Sequence, residues 1–251
     1  MSFGSFKKAL AISAALVAPM LAGNAHAQDW RGAYGGVNIG QGWGGGDTDF
    51  NPLPSAAAFV NLKPTTVHTD PRGFVGGFQL GYNFAASGWL FGVEADLDTS
   101  NVRGSREVSP IIQNNGTPFG TVTFLNASYQ TEDMGSLRLR LGRSVGSDMY
   151  AYIIGGGAAA RVQYSADSDF RPTGTIFYKS QFTKTETGFM GGAGLEWGIG
   201  GNWSMRAEYT ITDLGDESRT ANPTPANPPF QVAYKWSNNQ QAASFGLNYH
   251  F

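Results

Sequence analysis

From Phe74 to Phe84 the chain changes side at every residue. Phe74, Gly76, Phe78, Leu80, Tyr82 and Phe84 lie on one face and Val75, Gly77, Gln79, Gly81 and Asn83 on the other. A period of two is the mark of a strand whose faces meet different surroundings. The pattern recurs along the chain. Ala33, Val37, Ile39 and Trp43 oppose Tyr34, Gly36, Asn38 and Gly40. Trp89, Phe91, Val93, Ala95 and Leu97 oppose Gly92, Glu94, Asp96 and Asp98, and Leu137, Leu139 and Leu141 oppose Ser136, Arg138, Arg140 and Gly142. The segment at about 149–164 sets Tyr150, Tyr152, Ile154, Val162 and Tyr164 against Arg161 and Gln163. At 186–199, Phe189, Ala193, Leu195 and Trp197 face Met190, Gly192, Gly194 and Glu196. At 202–213, Trp203, Met205, Ala207, Tyr209 and Ile211 face Ser204, Arg206, Glu208, Thr210 and Thr212, and a last segment covers 241–251. Eight alternating segments result.

Their connections alternate in length. Ala85 to Gly88, Gly146 to Asp148 and Gly200 to Asn202 are tight, whereas Gly44 to Arg72, Thr99 to Asn126, Ser165 to Thr185 and Leu214 to Asn239 are long and rich in Pro, Asn, Ser, Thr and Gly. After Gln28 no run approaches the ~20 apolar residues of a membrane-spanning helix, so a membrane role needs strands. Only 14% of residues are charged, against about a quarter in an average domain, while 13% are aromatic. Low charge with that much apolar bulk points to lipid or core rather than to disorder. The absence of cysteine excludes a disulfide scaffold and a cysteine-based metal site. An even strand number with alternating short and long connections predicts an all-β, eight-stranded antiparallel up-and-down transmembrane barrel. Its short turns would be periplasmic, and its four long loops extracellular and mobile.

The first residues predict an exported chain. Lys7 and Lys8 precede an apolar run from Ala9 to Gly23, and Ala25-His26-Ala27 forms a small-residue cleavage site. Residues 1–27 are therefore expected to be removed, leaving a barrel over 28–251 that starts at Gln28. Removal leaves 15 basic against 19 acidic side chains, with no pull towards nucleic acid. The expected location is the outer membrane of a Gram-negative bacterium.

Which face meets lipid follows from charge. Glu94, Asp96, Glu196 and Glu208 share the small, polar face with Arg138, Arg140, Arg161 and Arg206. An arginine facing lipid at the midplane costs about 2–4 kcal/mol, whereas in a narrow lumen arginines and carboxylates satisfy one another. The eight charges are therefore expected to form a lumen network that largely plugs the barrel. Trp30, Tyr34, Trp89, Tyr150, Tyr152, Trp203 and Tyr249, near short turns or the termini, are expected to form an aromatic girdle.

A catalytic constellation is not legible. The histidines are His26 in the leader, His68 in the first long loop and His250, expected to point inward at the periplasmic end. Glu94 and Asp96 have the spacing of an acid/base pair, but nearby arginines favour ion pairing. Asp47 with Asp49, and Asp167 with Asp169, are two-carboxylate loop pairs of the kind usually just solvated. Gly44 to Gly46 lacks the helix and Lys-Ser/Thr of a phosphate cradle, and the proline-rich Asn222 to Pro229 stiffens its loop. No catalytic residue, metal or cofactor is expected.

The segments WRGAYGGVNIG from Trp30, GGFQLGYNF from Gly76, GAGLEWGIGGNWSMRAEYTITDLGD from Gly192 and the ending SFGLNYHF resemble the small outer-membrane β-barrels. That group includes the OmpA transmembrane domain, OmpX, the opacity proteins and the alphaproteobacterial outer-membrane immunogenic proteins. The resemblance implies that Leu247, Tyr249 and Phe251 form the C-terminal signal read by the outer-membrane assembly machinery. The sequence stops at Phe251 without OmpA's periplasmic domain, so a direct tether to the wall is not implied. Relatives labelled porins or haemin binders share no matched residue that carries those properties over. The expected role is structural and surface-interacting, with outer-membrane lipid and lipopolysaccharide, and host or phage ligands of the loops, as partners. The alternative is a narrow porin-like channel for ions or small solutes.

Overall fold

The computed structural model describes residues 29–54, 56–57, 61–119, 123–170, 173, 175–224 and 230–251. The expected leader and its cleavage residues Ala25, Ala27 and Gln28 lie outside the described residues. Eleven strands follow in order: β1 (Gly32–Trp43), β2 (Thr48–Pro52), β3 (Thr65–Val67), β4 (Arg72–Ala86), β5 (Trp89–Ser100), β6 (Arg103–Val108), β7 (Thr123–Val145), β8 (Met149–Phe170), β9 (Thr175–Gly200), β10 (Trp203–Ala221) and β11 (Val232–His250).

Eight of these, β1, β4, β5, β7, β8, β9, β10 and β11, pair antiparallel in that order, and β1 pairs with β11 to close the ring. These are the eight alternating segments. Starting at Tyr34 and stepping through paired residues leads by Gly81, Glu94, Arg138, Gly156, Met190 and Thr212 to Gln240. Tyr34 itself pairs across the seam with His250, ten residues further along β11. A stagger of ten over eight strands, with ~3.3 Å rise and ~4.8 Å spacing, tilts the strands by about 40° at a backbone radius of about 8 Å. Such a lumen is just wide enough for side chains to fill. The tight turns are those expected; β4 and β5 are joined by Ser87 and Gly88, both with positive φ (52° and 77°), as a two-residue hairpin requires.

The outer wall of the ring is apolar. Ile39, Phe74, Phe78, Leu80, Leu97, Leu137, Leu139, Ile153, Phe189 and Phe245 all stand exposed on it, Leu97 at 72% and Phe189 at 81%.

Beyond this band the structure departs from the expected mobile loops. β8 and β9 run on through most of the segment expected as a loop from Ser165 to Thr185, and β10 and β11 do the same between Leu214 and Asn239. Further out, β6 pairs with β7 in place of β5, and β2 pairs with β11 in place of β1, with β3 on its far side. The barrel thus has a second storey, ordered β6-β7-β8-β9-β10-β11-β2-β3. Its polarity is reversed. Phe50, Val67, Leu125, Tyr129, Val162, Tyr164, Val232, Tyr234 and Trp236 are buried inside it, while Asn126, Gln163, Asp167, Lys179, Gln181 and Lys235 lie on the opposite faces of the same strands. Two register shifts, between Thr131 and Met134 on β7 and between Asp213 and Asp216 on β10, lie near the changeover. Lipid demands an apolar wall and water a polar one, so the side that carries greasy residues swaps where the solvent changes.

Candidate functional site

The site lies inside the membrane storey. Glu94 and Asp96 come from β5, Arg138 and Arg140 from β7, Glu196 from β9, and Arg206 and Glu208 from β10, and all seven are buried. Their strands place them on inward positions at matching heights: Glu94 pairs in register with Arg138, and Glu196 with Arg206.

Glu94 is the hub. It accepts hydrogen bonds from the Tyr34 hydroxyl at 2.5 Å, from Arg206 at 2.9 Å and from Arg138 Nε at 2.8 Å, and it lies 3.3 Å from Arg140. Arg138 also donates to Glu208 at 2.7 Å and to Asp96 at 3.0 Å. Arg140 donates to Glu196 at 2.6 Å, and its guanidinium lies 3.9 Å from the centre of the Tyr152 ring. Tyr152 in turn donates to Glu208 at 3.1 Å. Glu196 accepts further bonds from Ser204 at 2.6 Å and Asn248 at 2.7 Å, and His250 Nε2 lies 3.3 Å away. A line of amides extends the network. Asn248 is bonded by Gln79, and Asn38 donates to both Gln79 and Asp98.

This arrangement obeys the rule that buried charges need both an opposite charge and additional hydrogen bonds. Small residues in the wall make room for it. A Cβ on Gly194 would come within 2.5 Å of the Tyr152 ring, and one on Gly246 within 2.9 Å of Arg206.

Arg161 is not part of the network. Position 161 on β8 points outward; the side chain is 60% exposed and pairs with Glu132 at 2.9 Å on the outer surface. Alternation fixes which residues share a face but not which face is outward: on β8 the bulky face, with Tyr150, Tyr152, Ile154, Val162 and Tyr164, is buried, and the face of Arg161 is the outer one. The same reversal corrects the girdle. Trp89, Trp203 and Tyr249 lie on outward positions, with Trp203 and Tyr249 in edge contact at 5.1 Å. Trp30, Tyr34, Tyr150 and Tyr152 are buried instead. Trp30 packs on Tyr150 and His250 at 5.8 and 5.6 Å, and its backbone carbonyl accepts a bond from Asn83 at the periplasmic mouth.

Tyr34, Tyr152, Ser204 and Asn248 are network members that the sequence did not single out as such. Tyr34 shares inward parity with Asn38, Ser204 with Arg206 and Asn248 with His250, which was the available signal. His250 points inward as expected. Of the aspartate pairs, Asp47 lies 3.1 Å from His68, Asp49 accepts from Thr66 and Asp167 from Asn126. Among the described residues no three His, Cys, Asp or Glu side chains gather into a metal-binding group. Leu247, Tyr249 and Phe251 share the outward face of β11 and its end, with Phe251 exposed.

A family model described as outer membrane protein beta-barrel domain matches residues 11–251. The 31 kDa outer-membrane immunogenic proteins of Brucella melitensis and Brucella suis are each 30% identical over 188 residues, covering 74% of this chain and 72% of the relative. Among solved structures, the outer membrane protease OmpT of Escherichia coli is similar at 9% identity and TM-score 0.47, over 88% of this chain and 97% of the other. OprG of Pseudomonas aeruginosa is similar at 12% identity and TM-score 0.42, with the same coverage.

Proposed function

Because the chain belongs to the outer membrane protein beta-barrel domain family and is an outer-membrane β-barrel of a Gram-negative bacterium, we propose that it is a closed, non-catalytic anchor. Its membrane storey holds the envelope and its outer storey presents a folded surface. The observation that carries this reading is the buried network of three arginines and four carboxyl groups across the lumen. A lumen about 8 Å in backbone radius is narrow enough for paired side chains to fill, and on this reading water passes only if those pairs break.

Single-channel recording of the refolded protein in planar bilayers tests the reading. Silence is expected over long recordings. Steady, reproducible current steps would overturn it and make a narrow channel for ions or small solutes the function.

Two partner assignments accompany the proposal. Lipopolysaccharide and host or phage surfaces would meet the outer storey and its connections. The assembly machinery would read Leu247, Tyr249 and Phe251. Deleting Phe251 should lower the amount of barrel inserted in cells while leaving refolding into detergent unchanged. Equal loss in both would mean that Phe251 acts only through packing.

A further inference from the structure

On β4 the last exposed apolar residue towards the outside is Phe74, and the next outward position is Arg72. Its antiparallel partner is Arg103 on β6, directly opposite. Both side chains are exposed, and among the described residues neither makes an ion pair or a side-chain hydrogen bond. Like charges directly opposite on paired strands repel at a Cβ separation of about 5 Å, so this pairing works against the sheet as it stands. Two acids nearby in the chain and sheet are already engaged: Asp70 by Arg106 at 3.6 Å and Glu132 by Arg161 at 2.9 Å. Across β4 from Arg103, the partner of Arg72 is Trp43 on β1, whose ring lies 6.1 Å from that of Tyr209. Aromatic side chains of this kind mark the boundary between lipid and water.

We propose that Arg72 and Arg103 clamp the phosphate of an outer-leaflet lipid, with its acyl chains lying against Phe74, Phe78 and Ile39 below. Two planar guanidinium groups converging on one anion turn a repulsive pair into a bidentate site, which phosphate oxygens match. The depth selects the source. One strand step of two residues, about 7 Å, separates the arginines from the exposed Phe74 ring, so the anion they meet is the one that lipid carries at that level.

The test uses the whole folded chain in a neutral maltoside detergent. Phosphatidic acid is the probe, diacylglycerol the same lipid without phosphate, and inorganic phosphate the same anion without lipid. Binding is read by native mass spectrometry and by the thermal midpoint. Phosphatidic acid should bind and raise the midpoint, and the other two should not. Arg72→Gln or Arg103→Gln should each weaken binding about fivefold, while Arg161→Gln, at an already paired arginine, should leave it unchanged. Without lipid, the Arg72→Gln and Arg103→Gln proteins should be at least as stable as the parent, because the repulsion is gone. Unchanged phosphatidic acid binding in both variants, or a midpoint lowered equally with and without lipid, overturns the proposal. A full effect of inorganic phosphate alone overturns the assignment to lipid.

Discussion

Arg138 makes contact with three carboxyl groups on two strands, Glu94 and Asp96 of β5 and Glu208 of β10. Replacing it with methionine keeps much of the volume but leaves those acids sharing Arg140 and Arg206, with water excluded. Breaking a buried pair from one side costs about 3–5 kcal/mol, so Arg138→Met should unfold in urea at a clearly lower concentration than the parent. Arg138 and Tyr152 donate to different oxygens of Glu208, so Glu208→Gln keeps a carbonyl acceptor for one of them only and should cost about 1–3 kcal/mol. Equal stability of Arg138→Met and the parent would mean that the network fills space without supporting the fold. A pH effect belongs at the periplasmic rim. Hydrogen bonds from Arg31 hold the Asp29 carboxyl down from 3.8 to about 2, so its contribution to stability is present above about pH 4 and is lost as pH falls towards 2. Asp29 is largely exposed, so the effect is small; Asp29→Asn should flatten the acid limb of the unfolding curve by that amount, and an unchanged limb would assign it to other carboxyls. Seven of the eight lumen charges were legible because charge itself forbids the lipid face. Arg161 was not, because near the membrane edge an arginine facing outward meets water and headgroups, where that prohibition lapses.

The strands show the same boundary from a different side. The membrane parts of all eight were legible, since each alternates large apolar against small or polar residues over the height of the bilayer. Their outward extensions read as loops because the alternation there is weaker and reversed. In Tyr164, Ser165, Ala166, Asp167 and Ser168 the residues at even positions are buried and those at odd ones face water. β2, β3 and β6 are only 5, 3 and 6 residues long, too short for periodicity to reveal them among Pro, Thr and Asn. What holds the outer storey is its aromatic core. Trp236 lies 5.4 Å from both Tyr164 and Phe182 and 5.9 Å from Tyr234, and each such side chain buries roughly 150–250 Å². Trp236→Ala should therefore cost about 3–5 kcal/mol, concentrated in this storey. Limited proteolysis of intact cells or vesicles checks it. The parent should resist cleavage along 162–170 and 175–185, the variant should be cut within those ranges, and a protected membrane barrel should remain in both. Cleavage of the parent at the same sites and rate would mean that the outer storey is not a folded unit.

On the closed-anchor reading, the tube is obstructed at successive heights: by Trp30, Tyr150 and His250 at the periplasmic mouth, by the ion network in the membrane, and by the aromatic core outside it. Between the last two, Gln240 donates to Tyr129 and Thr131 at 2.6 Å, and Tyr164 donates to Asn238 and Glu186 at 3.0 and 3.1 Å. Obstructions in series give a conductance set by whichever stays shut, so opening one alone gains little. The chemistry of the two main layers is also opposed. High salt or acid weakens paired charges and leaves an apolar core intact, so no single solution condition is expected to clear the tube. Arg138→Ala by itself should then remain electrically silent, as should Tyr164→Ala with Trp236→Ala. Combining the three substitutions with Trp30→Ala, which removes the packed ring at the periplasmic mouth, in protein whose heat-modifiable gel migration shows a folded barrel, should give current steps in planar bilayers. Those steps should favour cations, because the loss of Arg138 leaves Glu94, Asp96, Glu196 and Glu208 facing only Arg140 and Arg206. Steady steps from Arg138→Ala alone would show that the aromatic storey and the periplasmic mouth both leak and that the ion network is the whole of the stopper.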